Sequence, residues 1–225
     1  MRLVMALSGG MDSGTLAHQL LVEGNEVHFL TVNYGQRHRK ELDYAISLVD
    51  WFRREPFKER VGTVADVALM GSKSLFKGSS QTDDNVAVPH GKYDEEGMKT
   101  TVVPNRNMLI LSLCAARAIS LGCHAVVYGA HAGDHAIYPD CRRSFVKAME
   151  TALLLCDWKE IGLLAPFLSY SKGMIAEVGK RLGTPYDRTW TCYEGGEKPC
   201  RKCGSCNERA EAFGYAGMRD PLLEC

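Results

Sequence analysis

Six consecutive residues, Ser8-Gly9-Gly10-Met11-Asp12-Ser13, put glycines, hydroxyls and a carboxylate directly after the apolar run of residues 3–7. A strand, a glycine-rich turn and then a helix is an arrangement that holds phosphate. Glycine lacks a Cβ and tolerates positive φ, so the backbone can pass close to a ligand. The helix that follows points its unpaired N–H groups and the positive end of its dipole at the anion. Ser8 and Ser13 can donate hydroxyl hydrogen bonds, and Asp12 can carry a metal ion or orient the loop. Neither GxxxxGK[ST] nor GxGxxG, the patterns of two other nucleotide loops, is present. For a bare Gly-Gly pair, the alternative is a plain strand-to-helix turn.

The second chemical cluster is Cys192, Cys200, Cys203 and Cys206, spaced C-x7-C-x2-C-x2-C. A tetrahedral zinc needs four thiolates within bonding reach, and two-residue spacers let one turn present successive sulfurs. Gly195, Gly196, Pro199 and Gly204 supply the tight turns. Free or disulfide-bonded cysteines are one alternative. An iron–sulfur cluster is a stronger one, because C-x2-C-x2-C also opens ferredoxin runs. No further cysteine stands three residues after Cys206 with a proline behind it, which favours zinc. Four thiolates leave no open position for a catalytic water, so the metal is expected to be structural. Cys114, Cys123 and Cys156 fall in regular patterns and read as core residues.

These groups need a scaffold. The 225 residues suit one α/β domain with an appendage, divided here as residues 1–185 and a cysteine-rich tail at 186–225. Residues 3–7, 26–32, 58–64 and 124–128 read as strands. Residues 15–23, 38–52, 108–121 (capped by Gly122), 144–156 and 172–182 read as helices. Residues 70–101, rich in Gly, Ser, Asp and Lys, read as a long loop or mobile lid. The fold class is α/β: an open, mostly parallel, doubly wound sheet with a small C-terminal zinc-binding segment. Ligands of such sheets gather at the strands' carboxyl ends, which here carry residues 8–13, 33–37 and 129–134. Formal net charge is zero, so no general attraction to nucleic acid is expected. No stretch approaches the roughly 20 apolar residues of a membrane span. Residues 1–7 are too short for a signal peptide, so a cytoplasmic protein is expected.

The hexapeptide resembles the SGGxDS loop of the PP-loop ATP pyrophosphatases, which release pyrophosphate and leave AMP on a substrate. Further motifs narrow the resemblance. In order they are Tyr34-Gly35-Gln36-Arg37-His38, Val103-Pro104-Asn105-Arg106-Asn107 and Tyr138-Pro139-Asp140-Cys141-Arg142. Pro166 with Ser171-Lys172, Thr189-Trp190-Thr191-Cys192-Tyr193 and Ala216-Gly217-Met218-Arg219-Asp220-Pro221 complete the set. Together they resemble the 7-cyano-7-deazaguanine synthase (QueC) family over residues 3–221. The resemblance implies that 7-carboxy-7-deazaguanine, ammonia and ATP give the 7-cyano base through an adenylated acid and an amide, in queuosine-type biosynthesis. It implies ATP, Mg²⁺ and Zn²⁺ as cofactors, a homodimer, and no direct nucleic-acid or membrane partner.

The resemblance also distributes roles. ATP falls to Leu7, Ser8, Gly9, Gly10, Met11, Asp12, Ser13, Gly14 and Thr15, with Asp12, Lys172 and Arg37 catalytic. Tyr34, Arg106, Asn107, Asp134, Asp140 and Arg142 are the substrate candidates, and Cys192, Cys200, Cys203 and Cys206 the metal ligands. Asn107 is alternatively a helix cap and Asp134 or Asp140 a turn residue, while Arg37 and Lys172 are alternatively ordinary solvated cations. Cys141 reads as a nucleophile or an inert thiol. The chain departs from the family at Gly14, where threonine is common, so Gly14→Thr is expected to raise ATP affinity. It also departs at Asn105, Arg143, Arg201 and Gly204. Three other readings compete: a tRNA thiolase, a variant that stops at the carboxamide, and a zinc-dependent binding module without ATP chemistry.

Overall fold

Alternation in the first strand decides the layering. In β1 (Arg2–Ala6), Leu3 and Met5 point to one face and Val4 to the other, and all three are buried. A strand buried on both faces belongs inside a parallel sheet with helices on either side. The computed structural model describes residues 1–54, 56–69 and 75–223, and it contains that sheet. Five strands run in the order β3-β2-β1-β4-β5, all neighbours parallel. They are β1, β2 (Glu26–Asn33), β3 (Val61–Ala68), β4 (Ala125–Val127) and β5 (Gly162–Leu164).

Helices α1 (Met11–Val22) and α2 (Lys40–Phe52) cover one face, setting Leu16, Leu20, Leu48 and Phe52 against Leu3, Met5, Val27 and Phe29. On the other face, α4 (Arg106–Leu121) and α5 (Arg143–Leu154) set Leu111, Cys114, Met149 and Leu153 against Val4, Leu30 and Val126. Each such apolar side chain contributes about 1.5–3 kcal/mol when fully buried. The chain reaches the edge at β3 and returns to place β4 beside β1. That reversal of strand order opens a crevice at the carboxyl ends of β1 and β4.

The order of elements follows the expectation, but several bounds move. Helix α1 begins at Met11, four residues earlier than the apolar periodicity implied, because Gly10 sits in extended backbone at the N-cap. The third strand starts at Val61, after a 3₁₀ turn at Lys58–Arg60, and runs on to Ala68. Strand β5 adds an element that the sequence pattern did not show, since it opens on Gly162 and buries only Leu163. Helix α4 ends, as expected, at Gly122 in left-handed backbone.

The tail holds the largest surprise, helix α7 (Gly204–Tyr215). Its buried face is Ser205, Glu208, Arg209, Ala212 and Phe213, which is helical spacing built largely from polar residues. An apolar pattern could not reveal it. Helix α7 packs on α6 (Lys172–Leu182) and on the start of α1 through Phe213, Ala176, Tyr186 and Met11.

The expected loop at residues 70–101 is packed over much of its described length; residues 70–74 lie outside that description. Phe76, Ser79, Ser80, Gln81, Thr82, Val88, Met98 and Thr101 are buried, and a short helix α3 (Glu95–Met98) is capped by the Asp94 carboxylate. His90 pairs with Cys203 in an antiparallel bridge that ties this segment to the cysteine tail. Among the described residues, no helix is long and apolar enough to cross a membrane.

Gly9 has φ +84°, and a Cβ there would run into the Glu41 carbonyl and lie 2.8 Å from the Ala45 amide. Gly24 has nearly the same φ, +87°, with nothing within 4 Å. Gly9→Ala is therefore expected to cost about 3 kcal/mol or more, and Gly24→Ala only the backbone strain of about 1 kcal/mol. Urea unfolding of both variants checks the difference. Equal losses would mean that contact with α2 does not constrain the loop.

Candidate functional site

The phosphate-type loop between β1 and α1 is held from within. The Ser8 and Ser13 hydroxyls lie 3.0 Å apart, the Gly10 amide donates to Ser8 Oγ at 3.2 Å, and Ser13 Oγ donates to the Gly10 carbonyl at 3.2 Å. From outside, the Trp190 amide donates to the Gly9 carbonyl at 2.9 Å. The loop forms one wall of an open cleft, with a cavity volume of about 220 Å³, at the carboxyl ends of β1, β2 and β4. Leu7, Ser8, Gly10, Met11, Asp12 and Ser13 line it, opposite Tyr34, Gln81, Arg106, Asn107, Tyr128, Asp134 and Cys141.

One cation organises the loop end of the cleft. Lys172 Nζ, on the first turn of α6, lies 3.1 Å from Asp12 Oδ2 and 2.7 Å from Glu208 Oε2. Burial opposes its charge, but Asp12, Glu208 and Asp134 together hold its pKa well above the usual lysine range. Burial likewise pushes Asp12 up, and Lys172 with His131 more than offsets this, leaving the carboxyl below its ordinary range. Glu208 goes the other way, raised chiefly by burial. His131 Nε2 stands 3.7 Å from Asp12 and 3.4 Å from Asp134, while its Nδ1 accepts the Gly133 amide at 3.2 Å. Asp12 Oδ1 is buried with no hydrogen-bond partner, an orphaned acceptor beside the loop. A hard divalent cation such as Mg²⁺ takes a donor of this kind.

The other end is aromatic and polar. The Arg106 guanidinium lies 5.9 Å from the centre of the Tyr34 ring, which burial raises to a pKa of about 12. The Asn107 amide side chain donates to Cys141 Sγ at 3.4 Å, and the Tyr93 hydroxyl donates to Asp134 Oδ1 at 2.9 Å. Burial, Asp134 and Asp140 push the Cys141 thiol far up, so it stays protonated at neutral pH. A thiol in that state is a poor nucleophile.

The structure separates several residues that the sequence grouped. Asp140 lies off the cleft and accepts the Asn107 amide at 3.1 Å, capping the start of α4. Asn107, the alternative cap, instead receives that cap and lines the cleft. Arg142 is exposed and donates to the carbonyls of His135 and Ala136. Arg37 donates to the carbonyls of Asp83 and Val86, bracing the 75–101 segment away from the cleft lining. Gly9 supports the loop from behind. Gly14 faces Thr189 and Leu48, where a Cβ would lie 3.2 and 3.3 Å away, so threonine there crowds α2 and does not reach a nucleotide. Thr15 Oγ1 donates to the Met11 carbonyl and meets the Tyr186 hydroxyl at 2.8 Å, inside the protein.

Gln81, Tyr93, Tyr128, His131, Tyr193 and Glu208 join the site without having been singled out for it. Only Glu208 carried a readable signal, its helical spacing with Ser205, Ala212 and Phe213.

The four candidate sulfurs, of Cys192, Cys200, Cys203 and Cys206, all lie within 4.8 Å of one another. Backbone amides of Lys202 and Cys203 donate to Cys200 Sγ at 3.4 and 3.3 Å, and the Cys200 amide donates to Cys192 Sγ at 3.3 Å. Tetrahedral zinc with sulfur bonds of about 2.3 Å has sulfur–sulfur edges of about 3.8 Å. The Cys200–Cys206 pair, at 3.9 Å, matches that edge. Arg209 fixes the segment leading into the cluster. Its guanidinium grips Asp220 through two bonds of 2.7 and 2.8 Å and donates to Thr189, Thr191 and Tyr186.

With this geometry in view, the family model described as queuosine biosynthesis protein QueC matches residues 2–217. This chain belongs to the QueC family. It is 48% identical to the 7-cyano-7-deazaguanine synthase of Marinobacter nauticus over 97% of this chain and 95% of that one. It is 49% identical to the synthase of the same name from Hahella chejuensis, over 98% and 92%. Among solved structures, a 4-thiouridine synthetase–RNA complex with bound ATP aligns with TM-score 0.53 and 18% identity, over 99% of this chain and 52% of that one. That likeness concerns the fold alone. QueC membership makes the chain an enzyme, and its α/β sheet is the PP-loop fold expected from the sequence.

Lys172→Met removes the charge that lets Asp12 ionise beside the loop. Turnover is expected to fall about 10²- to 10³-fold, with a smaller change in KM for ATP. In the variant, Asp12 and Glu208 lose their ammonium and keep only His131 nearby, which raises both carboxyls. Their shared contribution to stability then persists at low pH and is lost as pH rises through their raised values. Thermal unfolding across pH reads this, and a pH-independent Tm in the variant would contradict the pairing.

Proposed function

We propose that the chain is a ligase forming C–N bonds, which converts 7-carboxy-7-deazaguanine and ammonia to 7-cyano-7-deazaguanine at the expense of ATP. The observation that carries this reading is one cleft that joins the Ser8–Ser13 loop, Asp12 and Lys172 to Arg106, Asn107, Tyr34 and Asp134. Queuosine biosynthesis is the role by which the family is known, and the relatives' name supplies the product.

A carboxylate is a poor electrophile because its leaving group would be oxide. Adenylation makes AMP the leaving group, so ammonia can displace it and form the carboxamide. A second activation on the amide oxygen, followed by loss of that oxygen with AMP and of two protons from nitrogen, gives the nitrile. The loop amides and the Ser8 and Ser13 hydroxyls are suited to the phosphates, and Lys172 to the charge that grows as pyrophosphate leaves. Mg²⁺, held by Asp12, would neutralise phosphate charge. Zn²⁺ on the four cysteines would fold the tail and so support Trp190, Thr191 and Tyr193 in the cleft wall.

The same reading divides the chain into an ATP-binding unit at 1–185 and a zinc-binding tail at 186–225 packed on it. It includes a homodimer in the cytoplasm, with no direct nucleic-acid contact, and the zero net charge supports the last point. The protonated Cys141 weighs against a thiolase, which needs a reactive thiolate.

Incubation with 7-carboxy-7-deazaguanine, ammonium and Mg-ATP is expected to yield the nitrile by mass, with the carboxamide transient. Carboxamide alone would make the chain an amide-forming variant, and neither product with ATP still bound would sink the function. Metal analysis is expected to give about one zinc per chain, lost in Cys200→Ser together with a lower Tm. Iron in its place would overturn the zinc assignment.

A further inference from the structure

Arg106 lines the cleft as a cation and, among the described residues, forms no salt bridge. Its guanidinium has five N–H donors, and its partners are weak: Nε reaches Asn107 Oδ1 at 3.3 Å and Nη1 reaches Gln81 Oε1 at 3.5 Å, with the Tyr34 hydroxyl and the Asp140 carboxylate adding attraction short of an ion pair. Gln81 itself is 0% exposed, and its Nε2 is buried without any partner although the residue lines the same cleft. An unpaired buried amide donor costs about 1–3 kcal/mol, so its persistence next to a cation that has no salt bridge points to an acceptor supplied from outside the chain.

We propose that Arg106 and Gln81 form an anion subsite for the carboxylate of the substrate, a refinement that rests on the function proposed above. A planar guanidinium suits a two-oxygen carboxylate, and the Gln81 amide adds a neutral donor beside it. The loop Ser8–Ser13 and Lys172 already supply the donors suited to phosphate, which leaves this second group of donors for the other anion in the reaction. Gln81 sits on the 75–101 segment, held by the Arg37 amide donating to its carbonyl at 2.6 Å. Arg37 therefore acts at a distance, as a brace for the residue that meets the substrate. The subsite discriminates by charge: it favours the acid over the carboxamide that follows it.

Calorimetry with α,β-methylene ATP present compares binding of the 7-carboxy base with that of its neutral 7-carboxamide analogue. Gln81→Glu gives Arg106 an internal partner and faces the ligand with a like charge. It is expected to weaken the acid about 10- to 100-fold, the carboxamide less than about 5-fold, and the nucleotide not at all. Gln81→Leu, which adds no charge, is expected to weaken the acid about 10-fold and serves if Gln81→Glu unfolds. Equal losses for acid and carboxamide, unchanged acid binding, or a loss confined to the nucleotide would each overturn the subsite. If the unaltered protein binds no acid, the proposed function itself fails and the subsite with it. If it binds acid and both variants keep its preference, only the subsite fails.

Discussion

A single buried ammonium holds three distant parts of the chain in one working arrangement. Lys172 begins α6, Asp12 begins α1 and Glu208 lies in α7, so their contact fixes the mutual placement of three helices. The trio is unbalanced, with two carboxylates for one ammonium, and the imbalance divides the two acids. Asp12 takes the benefit of the cation and stays ionised, while burial dominates at Glu208 and raises it. The ionised acid is the one beside the phosphate-type loop, and it keeps one oxygen unpartnered. Remove the ammonium and the loop loses both a cation and the reason for its neighbouring acid to be charged.

The loop is constrained from the opposite side by steric contact. Gly9 lies so close to the backbone of α2 that no side chain fits, and its carbonyl takes the Trp190 amide. Trp190 is buried against Cys192 and Cys203, so the cysteine cluster bears on the loop through one packed indole. The four sulfurs, though outside the cleft, are thus packed against its wall. Loss of the four-sulfur cluster would loosen Trp190, Thr191 and Tyr193 together, and these residues line the cleft.

Charge and hydrogen-bond satisfaction separate the two ends of the cleft. At the loop end every cation is paired, and the free valence is a carboxylate oxygen suited to a metal. At the far end the Arg106 cation has no salt bridge, and the Gln81 amide and the Tyr128 hydroxyl are both orphaned donors, suited to an anion. In the proposed reaction two anions, the nucleotide and the acid, must not compete for the same donors. Here the two sets of donors stand on different elements, α1 with α6 on one side and α4 with the 75–101 segment on the other.

The residues with covalent or conformational peculiarity were legible in the sequence. Gly9 and Gly10 marked a close backbone approach, four cysteines marked a thiolate cluster, and a continuous apolar run at residues 3–7 marked a strand buried on both faces. These features are local, so a short stretch specifies them without reference to the rest of the chain. Gln81 and His131 gave no mark and Glu208 only its helical spacing, since a glutamate, a glutamine or a histidine in isolation is most often an ordinary surface residue. Arg37, Asp140 and Arg142 had motif neighbours on every side, yet their side chains turn to backbone groups nearby. Which polar residues face the cleft depends on how helices and loops far apart in sequence pack against one another. That packing is a property of the folded chain, and it alone decided which charges were paired, which were left open, and what each end of the cleft can hold.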